Sequence, residues 1–488
     1  MIMLRNMYKN HLENRESICY DTDNSIYSEN YKSVVTLKGG VKSRLLGFYV
    51  LEKPHIVTLL IRLMKPLIHN EKEECSMSDH SSKSRWGQPL TGLLATASFL
   101  LIALITWFIF ASPQGIFKHY EHPMLEFLAM MLLVGIWQHI MFGDWPFAKL
   151  KPVTRGIVEI CVNIVAVYFI IYGVFQGFLG KLILPLWSVD ALVARGITEE
   201  LAKEYVGGAI TMFVLIGFVT YSFWTILFKK WPWGGKLTQP SLGFAEWGFT
   251  TVVTLLAYGT LIYPFYVAVV FKQPLAAQAP WWGIIDGVSH LNYVIGVWEW
   301  MVVYLFMTAN IWSGKPWHLV KKQPWSGLFG LVSIIALAFI TVKLTVFGMG
   351  AVWGAVDPKA TDGITSLAWR YYNSATLAGF TLFPFLIWNH YFDNWPQKMG
   401  SVVGWFIRTG IVFVLAAAQF VIYYAVCLPL LGLKPELSNH VNKPLVWLFW
   451  AIIPLLFNDW FMAKVPFYQL VAEHVEVNVV GSKNSVKL

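Results

Sequence analysis

Apolar positions along this chain of 488 residues arrive in blocks of about twenty, separated by short connections rich in Lys, Pro and Gly. A helix rising 1.5 Å per residue crosses a ~30 Å hydrocarbon core in one such block. The pattern predicts ten membrane helices, near residues 91–112, 124–143, 155–178, 207–228, 247–271, 286–310, 327–348, 364–391, 402–427 and 444–462. The expected fold class is all-α, a polytopic membrane protein. Between the third and fourth blocks, "SVDALVARGITEELAKEYVGG" reads as a short helix outside the membrane or an extension of the fourth span. Thr198 is placed to cap it, with Glu199 and Glu200 in its first turn.

A phrase recurs where the even-numbered blocks end. It is Phe-Gly-Asp-Trp-Pro at 142–146, Phe-Lys-Lys-Trp-Pro at 228–232 and Phe-Asp-Asn-Trp-Pro at 392–396. Weaker copies end at Trp312, followed by Lys315-Pro316, and at Trp460 in Phe-Asn-Asp-Trp. From Trp145 through Trp231, Trp312 and Trp395 to Trp460 the spacings are 86, 81, 83 and 65 residues. A period of that size holding two helices predicts five tandem hairpins. An even number of spans per unit gives every copy the same orientation, so the repeats are parallel rather than inverted. Trp suits the headgroup layer and Pro ends a helix by removing a donor. Lys149, Lys236, Lys315, Lys398 and Lys464 follow, where a cation complements a helix C-terminus. Most of the phrase is thus explained as an interfacial stop. The face carrying it also holds the excess of Lys and Arg, including Lys149, Lys151, Arg155, Lys229, Lys230, Lys321 and Lys322. That excess marks the cytoplasmic side and puts both termini there. The expected location is a bacterial inner membrane.

Composition agrees. Hydrophobic residues make up 56% and charged residues 13% of the chain, against about 25% charged in soluble domains. Mean hydropathy is +0.53, and 24 Trp with 34 Phe exceed what a soluble core needs. The net charge of +9 is spread over loops, so it reads as topology and excludes nucleic acid as the expected partner. The expected partners are the lipid bilayer, a small-molecule solute and, further, partner membrane subunits. Four cysteines (Cys19, Cys75, Cys161, Cys427) contain no CxxC pair, which excludes a thiolate cluster.

Residues 1–76 do not share the pattern. They are polar and aperiodic, and "LLGFYVLEKPHIVTLLIRLMKPL" from residue 45 is broken by charges and Pro54. Lys72-Glu73-Glu74 is encodable as AAGGAGGA, a bacterial ribosome-binding sequence just ahead of Met77. The expectation is that translation starts at Met77, with a disordered extension as the alternative. The transmembrane domain is then 77–470, followed by a cytoplasmic tail, 471–488.

Chemistry is sought where the stop reading leaves a residue unexplained. His139 and His390 lie about a turn inside the Trp-Pro ends, each two residues after a Trp. Aligned on Trp-x-His, the first copy carries one extra residue, Gly143, which is the mark of a π-bulge. Asp144, Asp393 and Asp459 fall in the same layer, so packed units would bring imidazoles and carboxylates together. Such a set suits Zn, Fe, Cu or Ni, and two imidazoles alone suit a haem. A structural hydrogen-bonding role and a proton or substrate role stand beside that reading. Glu299, 13 residues before Trp312, sits roughly 20 Å along its helix, near the midplane. A carboxylate there costs about 2.5–3.5 kcal/mol and is a site by default. Glu159 with Asn163 repeats the pattern on the third span, and His290 precedes Glu299 toward the outer face.

These observations favour a transporter or channel for a small solute, with Glu299, Glu159, His290, His139 and His390 as proton or substrate ligands. The alternatives are an oxidoreductase subunit holding a metal or haem through His139, His390, Asp144, Asp393 and Asp459, and a non-catalytic anchor or assembly subunit. No cofactor is named by the residues, and an enzyme is the less favoured reading.

Overall fold

The computed structural model describes residues 80–112, 114–119, 122–182, 185–271, 291–312, 314–353, 366–396, 401–427 and 442–472. His290 lies outside them, as do residues 1–79 and 473–488. The chain divides into two compact units. One, described over 86–467, is helical. The other contains β1 (His80–Ser84) and β2 (Tyr468–Ala472), an antiparallel pair in which Ser82 faces Leu470. The hydropathy pattern gave no sign of these strands, because each is short and polar or flanked by charge.

The long helices are α1 (Leu90–Phe110), α2 (Met124–Met141), α3 (Pro152–Leu182), α4 (Glu199–Leu227), α5 (Ser241–Leu261), α6 (Leu291–Asn310), α7 (Trp325–Trp353), α8 (Ser366–His390), α9 (Ser401–Ile422) and α10 (Asn442–Met462). Seven of them, α1–α4, α7, α9 and α10, contain stretches long and apolar enough to cross a membrane. Polar residues on buried faces lower the hydropathy of the others: Glu246, Thr250 and Thr254 on α5, Glu299 on α6, and Asn373, Ser374 and Thr381 on α8. A short helix, Val189–Val193, is capped by the Ser188 hydroxyl, which accepts from the Ala191 amide. Thr198 occupies the N-cap position of α4 without a side-chain bond, so Glu199 and Glu200 open a continuous helix.

Burial alternates along the chain. In the most apolar windows, 72%, 78% and 67% of α2, α4 and α10 are buried, against 22%, 22%, 28% and 17% of α1, α3, α7 and α9. Contacts run α2–α4, α4–α6, α6–α8, α8–α10 and α10–α2, a closed cycle of even-numbered helices. Odd-numbered helices lie outside: α1 on α10 and α8, α3 on α2 and α10, α5 on α4 and α2, α7 on α6 and α4, α9 on α8. The outer helices carry exposed apolar side chains such as Leu101, Val165, Leu256, Leu344 and Val414. An apolar surface of this extent is stable against lipid tails and not against water.

One turn recurs at the ends of the even helices. At α2, the Phe142 amide donates to Trp137 O, Asp144 N to Gln138 O and Trp145 N to Phe142 O. The same three bonds recur at Phe228/Lys230/Trp231, at Trp312/Gly314/Lys315 and at Phe392/Asn394/Trp395. The last two of them recur at Lys464 and Val465. Two successive residues before Trp-Pro or Val-Pro are left-handed: Gly143 and Asp144, Lys229 and Lys230, Asp393 and Asn394, Ala463 and Lys464. That conformation turns the last helical carbonyls toward the amides that satisfy them.

This register corrects the sequence alignment. The fifth turn is Met462–Pro466, not the phrase ending at Trp460. Gly143 is not an insertion, since Lys229, Asp393 and Ala463 fill its slot. The α2 helix does end in a π stretch, Ile136–Met141, but α4 does too, at Phe223–Leu227. Counted back from the prolines, His139 matches Asn389 and Asp459, whereas His390 matches Ile140 and Trp460. Asp144 and Asp393 are likewise one residue apart in register.

Candidate functional site

The Trp-Pro turns bring together a belt of polar side chains at one end of the inner helices. At the end of α2, His139 Nδ1 is 2.8 Å from Asp144 Oδ1, and Arg155 of α3 reaches the other carboxylate oxygen at 3.4 Å. Between α8 and α10, His390 Nδ1 is 2.8 Å from Asp459 Oδ2, with Lys464 Nζ 3.4 Å from Oδ1. The two groups are neighbours: the His139 ring stacks on Trp460 at 5.5 Å between centroids. The imidazoles and carboxylates form two separate His–Asp pairs rather than one set.

The proposed ligand set does not assemble. Asp393 accepts instead from Gln88 Nε2, at 2.9 Å. Among the described residues no group of three or more His, Cys, Asp or Glu side chains is placed to hold a metal ion. Each imidazole bonds its own carboxylate through Nδ1, and Asp393 belongs to neither pair. The reading of His139, His390, Asp144, Asp393 and Asp459 as one metal or haem centre is therefore not supported.

Much of the belt ties one inner helix to the next. The side chain in the second left-handed position reaches a carbonyl six residues before the neighbouring turn's proline. Lys230 Nζ donates to Ile140 O at 2.7 Å, Lys464 Nζ to His390 O at 2.7 Å, and Asn394 Nδ2 to Asn310 O at 3.3 Å. Asp144 has no hydrogen to donate, and Arg155, held by Asp144, supplies it to Trp460 O at 3.4 Å. Gly314 has no side chain to make that bond; one residue further on, five before Pro232, Gln323 Nε2 donates to Leu227 O at 2.8 Å. Gln239 and Gln88 do the same toward Met141 O and Tyr391 O. These residues bind helix to helix, and their chemistry is accounted for.

On the α2–α3 seam two groups are left over. His139 has 32% of its side chain exposed, and among the described residues nothing bonds its Nε2. Glu159, one turn along α3 from Arg155, is 1% exposed and its Oε1 has no hydrogen-bond partner. It lies within electrostatic reach of His139, Asp144 and Arg155. Gln138 and Asn163 link the same seam, with Asn163 Nδ2 donating to Gln138 Oε1 at 2.8 Å and Gln138 Nε2 to Glu159 O at 3.2 Å. Glu299 is 7% exposed, with one oxygen unpartnered, and stands apart on α6.

Sequence reasoning missed Arg155, Lys230 and Lys464 as builders of the belt, treating them only as topology signals. It also missed Glu246, wholly buried and 3.3 Å from Lys230. The signal was present in the Gln-Pro-x-x-Gly starts of α1, α5 and α7 (Gln88–Gly92, Gln239–Gly243, Gln323–Gly327), a second recurring phrase. No protein-family model, curated protein or solved structure matches the chain.

Proposed function

We propose that the chain is a multi-pass transport protein of a bacterial inner membrane, built from five tandem parallel hairpins. In this reading all ten long helices span the bilayer and both termini are cytoplasmic. The recurring turn, the closed cycle of even helices and the Lys/Arg excess beside the turns support it. The solute path follows the α2–α3 seam. Asp144, fixed by Arg155, accepts the His139 Nδ1 hydrogen and so leaves Nε2 as the basic nitrogen facing the cytoplasmic end. Glu159 is the proton or cation acceptor behind it, with Gln138 and Asn163 positioning the seam.

One observation carries this reading: a buried carboxylate with an unpartnered oxygen beside an open imidazole. Membrane-embedded ionisable groups of this kind mark ion and substrate paths. The test is proton flux into vesicles reconstituted with the full chain, driven by an imposed potassium diffusion potential and read by an entrapped pH dye. Wild-type protein should conduct above protein-free vesicles, with Glu159→Gln and His139→Gln each lowering the rate at least about tenfold. Flux equal in the wild type and both variants would sink the reading.

A further inference from the structure

The same seam has a second polar end. At the far end of α2, opposite the Trp-Pro turn, a cleft of about 160 Å³ is lined by Pro123, Met124, Glu126, Phe127, Ile171 and Tyr172. Glu126 is 5% exposed, and His122 Nδ1 holds one of its oxygens at 2.7 Å. Tyr172 is close enough to feel the Glu126 charge and belongs to an eleven-residue π stretch of α3, Phe169–Leu179. Wide helical turns of this kind are enriched where a protein makes room for a ligand.

The lining selects the occupant. An anion is repelled by Glu126, and a neutral apolar molecule makes no use of the acceptor capacity the carboxylate keeps beside its one bond to His122. A hard metal cation wants six or more oxygen ligands, and the cleft has one carboxylate and one phenol. An ammonium group satisfies the carboxylate while its alkyl part rests on Met124 and Ile171, and the Phe127 and Tyr172 rings attract a cation over their faces. We propose that this cleft binds an ammonium group, from a small alkylamine or from an ethanolamine lipid headgroup, with Glu126 as its counter-charge. The inference goes beyond the transport reading, because binding here needs no movement across the membrane.

Binding is measured on the full chain, by titration calorimetry with methylammonium chloride in detergent and by melting in bilayer discs of phosphatidylethanolamine against phosphatidylcholine. Saturable methylammonium binding assigns a free amine, and a higher melting temperature in phosphatidylethanolamine alone assigns the headgroup. Methylammonium affinity should fall at least tenfold in Glu126→Gln and several-fold in Tyr172→Ala, a 40% exposed position whose ring packs on Tyr168, and any melting difference between the two lipids should vanish in Glu126→Gln. The proposal is overturned by no effect in either arm, by sodium binding as tightly as methylammonium, or by both variants behaving as wild type. Should Glu126→Gln fail to accumulate, Tyr172→Ala decides alone. Failure of the flux assay leaves this result untouched.

Discussion

His139 and His390 look alike in the sequence and differ in surroundings. The His390 side chain is 7% exposed and paired with Asp459, whereas His139 is 32% exposed. His390→Gln should therefore lower stability by about 1–3 kcal/mol, because the ring that bonds Asp459 is itself shut off from water, whereas water can replace the exposed His139. His139→Gln should leave the melting temperature within a few degrees of wild type while lowering flux at least about tenfold. Equal loss of stability in both would make His139 structural as well. Lys464 is more consequential, being 4% exposed and bonded to both His390 O and Asp459. Lys464→Met should destabilise by about 3–5 kcal/mol, the usual result of stripping one partner from a buried pair. Its neighbour Ala463 has φ of 50°, so Ala463→Gly should raise stability by about 1 kcal/mol. An unchanged or lower melting temperature would show that the turn is not strained there.

At the scale of elements, the turns dock on outer helices through small residues. A Cβ at Gly92, Gly156, Gly243 or Gly327 would overlap Phe392, Met462, Phe142 or Phe228, each the residue that begins a turn. Close approach, not backbone freedom, is what these glycines supply. Gly243→Val should cost about 1–3 kcal/mol by overpacking, seen as a lower melting temperature and reduced accumulation. Gly248, with nothing within 4 Å of its would-be Cβ, is the control and should tolerate Ala. By contrast, Trp145, Trp231 and Trp395 are 48%, 41% and 39% exposed. Replacing Trp145 with Phe should cost less than about 1 kcal/mol, since mainly the interfacial N–H is lost.

For the molecule as a whole, the alternation of burial makes a statement about topology. Inner helices α2, α4, α6, α8 and α10 can form one cycle with equivalent turns at one end only when all five run in the same direction. Reporters fused after Lys236, Lys322 and Lys398 should then report the cytoplasm. Those after Lys203, Lys359 and Lys434 should report the other side. A single robust inversion among the six would break the hairpin arrangement.

Hydrophobic block length by itself determined the helical membrane character, because crossing a bilayer requires about twenty apolar residues whatever they pack against. The recurring phrase also located the C-terminal ends of the even helices, since Trp, Pro and Lys are chosen there by the interface and the helix dipole, whereas α4 and α5 begin at Glu199 and Ser241, ahead of the expected 207 and 247. Glu159 and Glu299 were legible for the same reason: a charge in an apolar block is conspicuous. Partnership was not legible. Whether His139 pairs with Asp144 or joins His390 depends on a one-residue register that only the left-handed turns reveal. Two consecutive left-handed residues can be Gly-Asp, Lys-Lys, Asp-Asn or Ala-Lys, so the backbone repeats where the side chains do not. Lys230, Lys464 and Arg155 read as loop charges because proximity to a carbonyl on a helix some 70 to 300 residues distant leaves no mark in local composition. The strand pair and the Glu126 cleft belong with them, for each exists only once remote segments are packed side by side.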